Sequence, residues 1–337
     1  MKKSLMMLGA AAMVLASCTQ NEVMEVAENR AIQFNTFVDK NTKAVTVDES
    51  ASNFYVIGKY KPTAGGDWTD VFTNEPGNTI HYWEANSSYE FGAYANGETP
   101  IADTEVTFDA DNKTMSFSNY IPNDANDLIV ATASHAITTD LTTSNNIVNL
   151  TFKHMLSRVK FTFTTTDADA YILKITNLVI GNATHKANGK YETTGDKITW
   201  EKVEQGGYAY NAVGEIENVD IADKNINYTV SSEKFVIPQE DTNSLKVTFT
   251  ATFSGLGQSE TTQDFEATLG FTAPDPNNGT ADNAWTPGFI YNYTAEINGA
   301  MIDPDLQTQK IQFAVSVDPW KDANTDGTVI TPTEPQP

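Results

Sequence analysis

Leu245-Lys-Val-Thr-Phe-Thr-Ala-Thr-Phe253 alternates apolar and polar residues without a break. At a period of two, Leu245, Val247, Phe249, Ala251 and Phe253 share one face, and Lys246 and the threonines share the other. That is the pattern of a strand with one side buried. Arg158-Val-Lys-Phe-Thr-Phe-Thr164 repeats it, with Val159, Phe161 and Phe163 inward. Upstream, runs of the same kind lie at Phe54–Tyr60, Tyr89–Ala95, Leu128–Ala133, Ile147–Phe152 and Ile172–Ile180. Downstream they lie at Lys234–Ile237, Thr262–Leu269, Phe289–Ile297 and Ile311–Val317. Turn-forming clusters such as Ala64-Gly-Gly-Asp67, Asn74-Glu-Pro-Gly77 and Asp109-Ala-Asp-Asn112 separate them. No long segment holds an apolar period of 3.6, so helices should be few and short. Many short strands between regular turn signals predict an all-β chain built as β-sandwiches.

The 337 residues include 44 acidic and 21 basic ones, a formal net charge of −23. Such a surface argues against nucleic acid, whose binding relies on Lys and Arg at phosphates, and against docking on an anionic bilayer. A hydrophobic share of 40% with 10% aromatics is ample for a packed core. A chain of this length makes two domains or one large β domain. Phe152-Lys-His-Met-Leu-Ser157 joins two alternating runs without a Pro/Gly linker. The division is placed near residue 154, with the two halves packed closely.

The first residues read as an export leader. Met1-Lys2-Lys3 supplies a positive start, and Leu5 to Leu15 an apolar stretch of about eleven residues, too short to span a bilayer. Leu15-Ala-Ser-Cys18 ends it with the only cysteine of the chain. That places Cys18 where a lipobox puts its acylated residue and leaves no thiol for disulfide, metal or nucleophile. Loss of Lys2 and Lys3 would make the mature chain more acidic still. After a polar spacer comes a short strand-like run, Ala31-Ile-Gln-Phe-Asn-Thr-Phe-Val38, and then Lys43-Ala44.

These features, with four others, resemble the fimbrillins, pilin-type surface lipoproteins of Bacteroidetes that build type V pili. Asn149-Leu-Thr-Phe-Lys-His-Met-Leu-Ser-Arg-Val-Lys-Phe161 is similar to the family's mid-chain Phe-x-His-x-Leu-Ser-x-Val. Phe235-Val-Ile-Pro-Gln239, Gly288-Phe-Ile-Tyr-Asn-Tyr-Thr294 and Ile311-Gln-Phe-Ala-Val-Ser-Val-Asp-Pro-Trp320 continue the likeness. The resemblance implies two transthyretin-like β-sandwich domains in tandem. It implies export to the cell outer membrane as a lipoprotein, cleavage by a trypsin-like protease, and loss of the first strand. The vacated groove would then take a donor strand from another pilin subunit. On this sequence lipid would attach at Cys18, with processing at Lys43 and Ala44, where the family has arginine before the cut. Ile32, Phe34, Thr36 and Val38 would face inward in the removable strand, and Ile311, Phe313, Val315 and Val317 in the donor. The implied organisation is a signal peptide at 1–17, a lipidated spacer with the removable strand at 18–43, sandwiches at 44–154 and 155–320, and a polar Pro-rich tail at 321–337. The tail, expected to be extended or disordered, offers only Thr328-Val-Ile-Thr331 as a second apolar stretch.

Enzyme chemistry finds no support in the sequence. There is no nucleophile elbow, Gly-rich phosphate loop or His-Glu-x-x-His. His154 stands at a strand end with no ligand at metal spacing, and His81, His135 and His185 are scattered. Asp322-Ala-Asn-Thr-Asp-Gly327 begins like a calcium loop, but its twelfth position is Thr333 with Glu334 one residue late, so no bidentate carboxylate falls into place. No cofactor or metal is expected. Trp68, Tyr82, Trp83, Trp200, Trp285 and Trp320 could stack on a host glycan if exposed, the basis of an alternative reading as a non-polymerising, lipid-anchored glycan-binding protein. Burial in the sheets is the expectation for most of them.

Overall fold

The computed structural model describes residues 30–38, 53–124, 126–142, 146–165, 172–210, 214–216, 228–255, 258–273, 280–303, 305–319 and 328–330. Among them there is no α-helix, only a 3₁₀ turn at Gly299–Met301, and the all-β expectation holds. The strands of the first half are β1 (Gln33–Val38), β2 (Tyr55–Pro62), β3 (Thr69–Pro76), β4 (Ser87–Ala95), β5 (Val106–Asp109), β6 (Thr114–Tyr120), β7 (Ile129–Ile137) and β8 (Ile147–His154). Then come β9 (Ser157–Thr165), β10 (Ile172–Glu192), β11 (Lys197–Tyr210), β12 (Gly214–Ile216), β13 (Tyr228–Val236), β14 (Lys246–Gly255) and β15 (Gln258–Thr268). The chain ends with β16 (Phe289–Glu296), β17 (Thr308–Lys310), β18 (Ala314–Pro319) and β19 (Thr328–Ile330).

One sheet runs β19-β1-β8-β7-β4-β2-β3. Its inward residues form a single apolar cluster in which Phe34 of β1 touches Phe72 of β3 and Phe91 of β4 at ring distances of 5.5 and 5.4 Å. Strands so far apart in the order can meet only if the sheet folds over. The fold lies between β7 and β8, whose ladder has just two pairs, Ile129↔His154 and Val130↔Lys153. The opposite face of β2, β4 and β7 is apolar too, since Ile57, Tyr94 and Val130 pack with Phe108, Phe117 and Met115 of β5 and β6. A middle layer buried on both faces explains why nearly every residue of β4 is buried. Gly92 sits where this layer meets the next: a Cβ there would lie 2.2 Å from Met115 Sδ. Any side chain would force the layers apart.

The second large sheet runs β17-β15-β14-β10-β6-β5, with β11 and β12 also on β10. Within β10, Val179 and Ile180 pair with β11 on one edge and β14 on the other, and residues 187–192 pair with β11 and β6 in the same way. So β14 and β6 follow one another along one edge of a single 21-residue strand. The expected division near residue 154 falls in the link from β8 to β9, but the far end of the β10–β11 hairpin returns to pair with β6 of the first half. Its Tyr191 and Trp200 pack beside Met155 and Leu156.

A third sheet, β13-β9-β16-β18, covers β10, β14 and β15 and encloses the other large core. Leu245, Val247, Phe249, Ala251 and Phe253 all point into it, as do Val159, Phe161 and Phe163. Phenols buried here find backbone acceptors: Tyr208 donates to Thr184 O (2.7 Å), Tyr210 to Val159 O (3.0 Å) and Tyr293 to Leu269 O (3.1 Å). Burial holds the Tyr210 hydroxyl well above the ordinary phenol range, so it stays a donor.

Candidate functional site

Two segments each complete an apolar core late or early in the chain: β1 and residues 308–319. In β1, Phe34, Thr36 and Val38 are all buried, as is Ile32 just before it, and Ile32 and Phe34 are wholly inaccessible. Phe34 lies at the centre of an aromatic cage, with Phe54, Phe72 and Phe91 at 5.8, 5.5 and 5.4 Å, each ring edge-on. Along its length β1 pairs in parallel with β8, from Gln33↔Ile147 to Val38↔Phe152, and Asn35 Nδ2 donates to Asn149 Oδ1 at 3.1 Å. Ahead of the strand, the Ile32 amide donates to His81 O (2.7 Å) and the Trp83 amide to Arg30 O (3.1 Å). The other edge of β1 is covered by β19, antiparallel, with Phe34↔Ile330, Asn35↔Val329 and Thr36↔Thr328. The tail thus returns to the head of the chain.

A small brace supports the loop that receives Ile32. His81 Nε2 lies 3.0 Å from Glu75 Oε2, and Glu75 Oε1 accepts from the Thr73 amide and hydroxyl at 3.0 and 2.9 Å. Burial works to raise the Glu75 carboxyl, but the hydrogen bonds from His81 and Thr73 together outweigh it and leave the group below its ordinary value. The His81 ring packs edge-on against Phe72 at 4.3 Å.

The closing segment is seated differently. β17 lies parallel to β15 at the edge of one sheet, and the Ile311 amide donates to Glu266 O at 3.1 Å. The chain then crosses to the other sheet, where β18 pairs antiparallel with β16, from Phe289↔Pro319 to Thr294↔Ala314. Phe313 lies at the crossing, with Phe161, Phe163, Tyr293 and Phe249 at 5.4, 6.0, 6.1 and 6.4 Å. Ile311, Phe313 and Val315 are only partly buried, and Val317 is buried. Lys310, Ile311 and Gln312 border an open cleft of about 640 Å³. Gln263 Nε2 holds the approach to β17 through Leu306 O and Gln307 O at 3.2 and 3.3 Å.

Ile32, Phe34, Thr36 and Val38 thus lie in one core, and Ile311, Phe313, Val315 and Val317 pack against or within the other. Cys18, Lys43, Ala44 and Trp320 lie outside the described residues, as does Asp322–Gly327. The cage residues Phe54, Phe72 and Phe91 and the β19 pairing were not singled out from the sequence. Phe54 and Phe91 fall within alternating runs, but nothing local marks them as neighbours of Phe34.

Other candidates resolve into packing. His154 ends β8 with its Nδ1 bonded to Asp127 Oδ2, both side chains buried. Among the described residues no group of three or more His, Cys, Asp or Glu is placed to hold a metal. Trp83 and Trp285 are buried, and Trp68 and Trp200 are half-buried against the core beneath β5 and β6. Tyr82 alone of the described aromatic candidates is exposed. Among the described residues no helix is long and apolar enough to cross a membrane.

No curated protein matches the chain. Among solved structures, a candidate cell adhesion protein from Bacteroides uniformis is 15% identical, with a TM-score of 0.42, covering 86% of this chain and 99% of its own. One from Parabacteroides distasonis is 12% identical, with a TM-score of 0.43, covering 91% of this chain and 99% of its own. The fimbrial anchor protein Mfa2 from Porphyromonas gingivalis is 12% identical, with a TM-score of 0.35, covering 86% of this chain and 98% of its own. The model of the fimbrillin-like family matches residues 26–320. The chain belongs to the fimbrillin-like family.

Proposed function

We propose that this chain is a structural or adhesive subunit of a cell-surface pilus, assembled by exchange of a strand. It would be exported as a lipoprotein through Cys18, cut between Lys43 and Ala44, and freed of β1. The observation that carries this reading is the seating of β1. Its inward side chains fill a complete apolar core, and its attachment to β8 and β19 is through strand pairing. A cut after Lys43 would sever its covalent link to the rest of the subunit, and its departure would uncover the β8 edge and the Phe54–Phe72–Phe91 cage. An extended segment supplying backbone hydrogen bonds and alternate apolar side chains could refill both. The two tandem sandwich domains belong to the same proposal, with β10 shared between them.

Limited trypsin treatment of the purified chain tests it. Cutting after Lys43, followed by SDS-resistant oligomers, is the expected outcome. A cut product that stays monomeric at high concentration would overturn assembly by strand exchange. A second reading is favoured by β19, which pairs with β1 along the edge opposite β8. In that reading the chain keeps β1 and serves as a lipid-anchored subunit at the fibre base. Recovery of mature protein from cells with an acylated Cys18 at its N-terminus, and not Ala44, would select it.

A further inference from the structure

The β10–β11 hairpin leaves one strand edge open. β11 pairs with β10 along one side, and among the described residues no strand lies on its other side. From Lys197 to Lys202 its ladder with β10 is regular, with Lys197 opposite Glu192 and Glu201 opposite Asn188. The usable edge is bounded at both ends. Before it comes a tight turn, with Gly195 and Asp196 at φ of 84° and 51°. After it the register shifts: Lys186 and Ala187 of β10 face Glu204 and Lys202, which leaves Val203 as an extra residue. What remains is Lys197-Ile-Thr-Trp-Glu201.

In this segment Lys197, Thr199 and Glu201 share one face, and Ile198 and Trp200 the other. Lys197 and Glu201 are exposed, whereas Ile198 and Trp200 are half-buried against the core beneath β5 and β6. The Trp200 ring leans back over β10, since a Cβ on Gly189 would lie 2.7 Å from it and its Nε1 donates to Met155 O at 2.8 Å. It therefore does not cap the free edge. Neither charged residue makes a salt bridge among the described residues, and Glu192, the acid across from Lys197, is held by Lys190 at 2.5 Å.

An open edge that carries charge resists pairing with most other strands. Antiparallel pairing with itself about Thr199 turns the same charges to advantage. Lys197 then faces Glu201 of the second copy, and symmetry makes that pair twice. Ile198 faces Trp200, also twice, and Thr199 faces Thr199. Facing residues share a side of the sheet, so the two-fold axis must fall on a residue and not between two. Axes at Lys197 or Glu201 would set like charges directly opposite, and axes at Ile198 or Trp200 would leave both charges without a counterpart. Parallel self-pairing would again set like against like. One register satisfies the whole segment.

We propose that two copies of this chain pair edge to edge through residues 197–201 of β11, antiparallel, with Thr199 on the two-fold axis. The layer β5-β6-β10-β11 then continues into that of the second copy. Five residues a side make a small interface, so the dimer is weak and reversible. The pairing needs neither cutting nor lipid. On the pilus reading it repeats along the fibre, and many weak contacts hold two fibres side by side.

Light scattering of the uncut full chain carrying Cys18→Ser, over a concentration series, should show reversible dimers. On that background Lys197→Glu and Glu201→Lys should each weaken the dimer about tenfold or more, because both ion pairs become like-charge pairs. Mixed in equal amounts they should restore it, since one chain then presents two acids and the other two ammonium groups. Oxidation of Thr199→Cys should link two copies, because facing Cα atoms lie about 4.5–5.5 Å apart, within disulfide reach. Lys197→Cys alone should not link, but mixed with Glu201→Cys it should. A chain that stays monomeric at the highest attainable concentration would overturn the proposal, as would a dimer that both charge variants leave intact. Linking of Lys197→Cys alone as fast as Thr199→Cys would overturn the register. All three positions face away from the core, so these substitutions spare the fold.

Discussion

β1 and the closing segment present nearly the same inward side chains, yet the fold holds them very differently. β1 has a strand on each edge and a core that closes completely over Ile32 and Phe34. The closing segment is split between two sheet edges, and β18 pairs along one side only. Side-chain identity therefore does not set how firmly a strand is kept. Closure of the surrounding layers does, because a half-buried phenylalanine has already surrendered part of its transfer free energy to solvent.

The sharpest way to break that comparison is to truncate the two phenylalanines. Phe34→Ala should cost about 3–5 kcal/mol, the usual figure for emptying a closed aromatic site, whereas Phe313→Ala should cost about half as much. Urea denaturation of the uncut variants would show it, and equal losses would abolish the distinction. The exchanged inward position comes next. Val315→Thr should cost about 1 kcal/mol or less, because its site is half open and water can reach the new hydroxyl, whereas Thr36→Val removes a buried hydroxyl and should change stability by no more than about 1 kcal/mol. A larger loss from Val315→Thr would mean that the closing segment is the tighter of the two.

Removing residues 328–337 should leave global stability almost unchanged but open the outer edge of β1. Three strand pairs are lost, and those amides of residues 34–36 that point towards β19 should exchange with solvent severalfold to tenfold faster, while those that point towards β8 keep their protection. Unchanged exchange would show that β19 gives β1 no protection. The smallest effect concerns the Glu75 brace. A carboxyl held below its ordinary 4.5 contributes stability above that pH and loses it as the pH falls through the lowered value. Glu75→Gln should therefore be less stable than the natural chain by about 0.5–1 kcal/mol at pH 7, with the gap closing towards pH 3. A gap that persists at pH 3 would mean the side chain acts by packing and not by charge.

Much of the strand inventory can be read from alternation, because a strand with one polar face carries its own signature. β14 shows it residue for residue, and β9 does so except at Thr162, which is buried as well. The failures share a physical origin. Thr69-Asp-Val-Phe-Thr-Asn-Glu-Pro76 becomes β3 although only Phe72 in it is fully buried, so its strand character comes from its neighbour β2 and not from its own pattern. β10 runs on past Ile180, where the alternating run ends, through Gly181-Asn182, which lie at an irregularity of the ladder, with Asn182 at a φ of 61°. The double burial of β4 needs β5 and β6 above it, and that partnership is not local. At the candidate site the inward residues of both strands were legible for the same reason that β14 was. The cage around Phe34 was not, since Phe54, Phe72 and Phe91 come from three different strands or their approaches.

The long β10 strand has a mechanical consequence. At about 3.3 Å per residue it spans roughly 65–70 Å of unbroken backbone. Ladders on both of its edges tie it to the first-half core at one end and to the second-half core at the other. A tensile load passing between those cores meets a braced strand and not a slack linker. Stretching it means breaking many hydrogen bonds together, so the molecule should be stiff in extension. Compliance would concentrate at the irregularity near Gly181 and Asn182, which gives the span one place to twist.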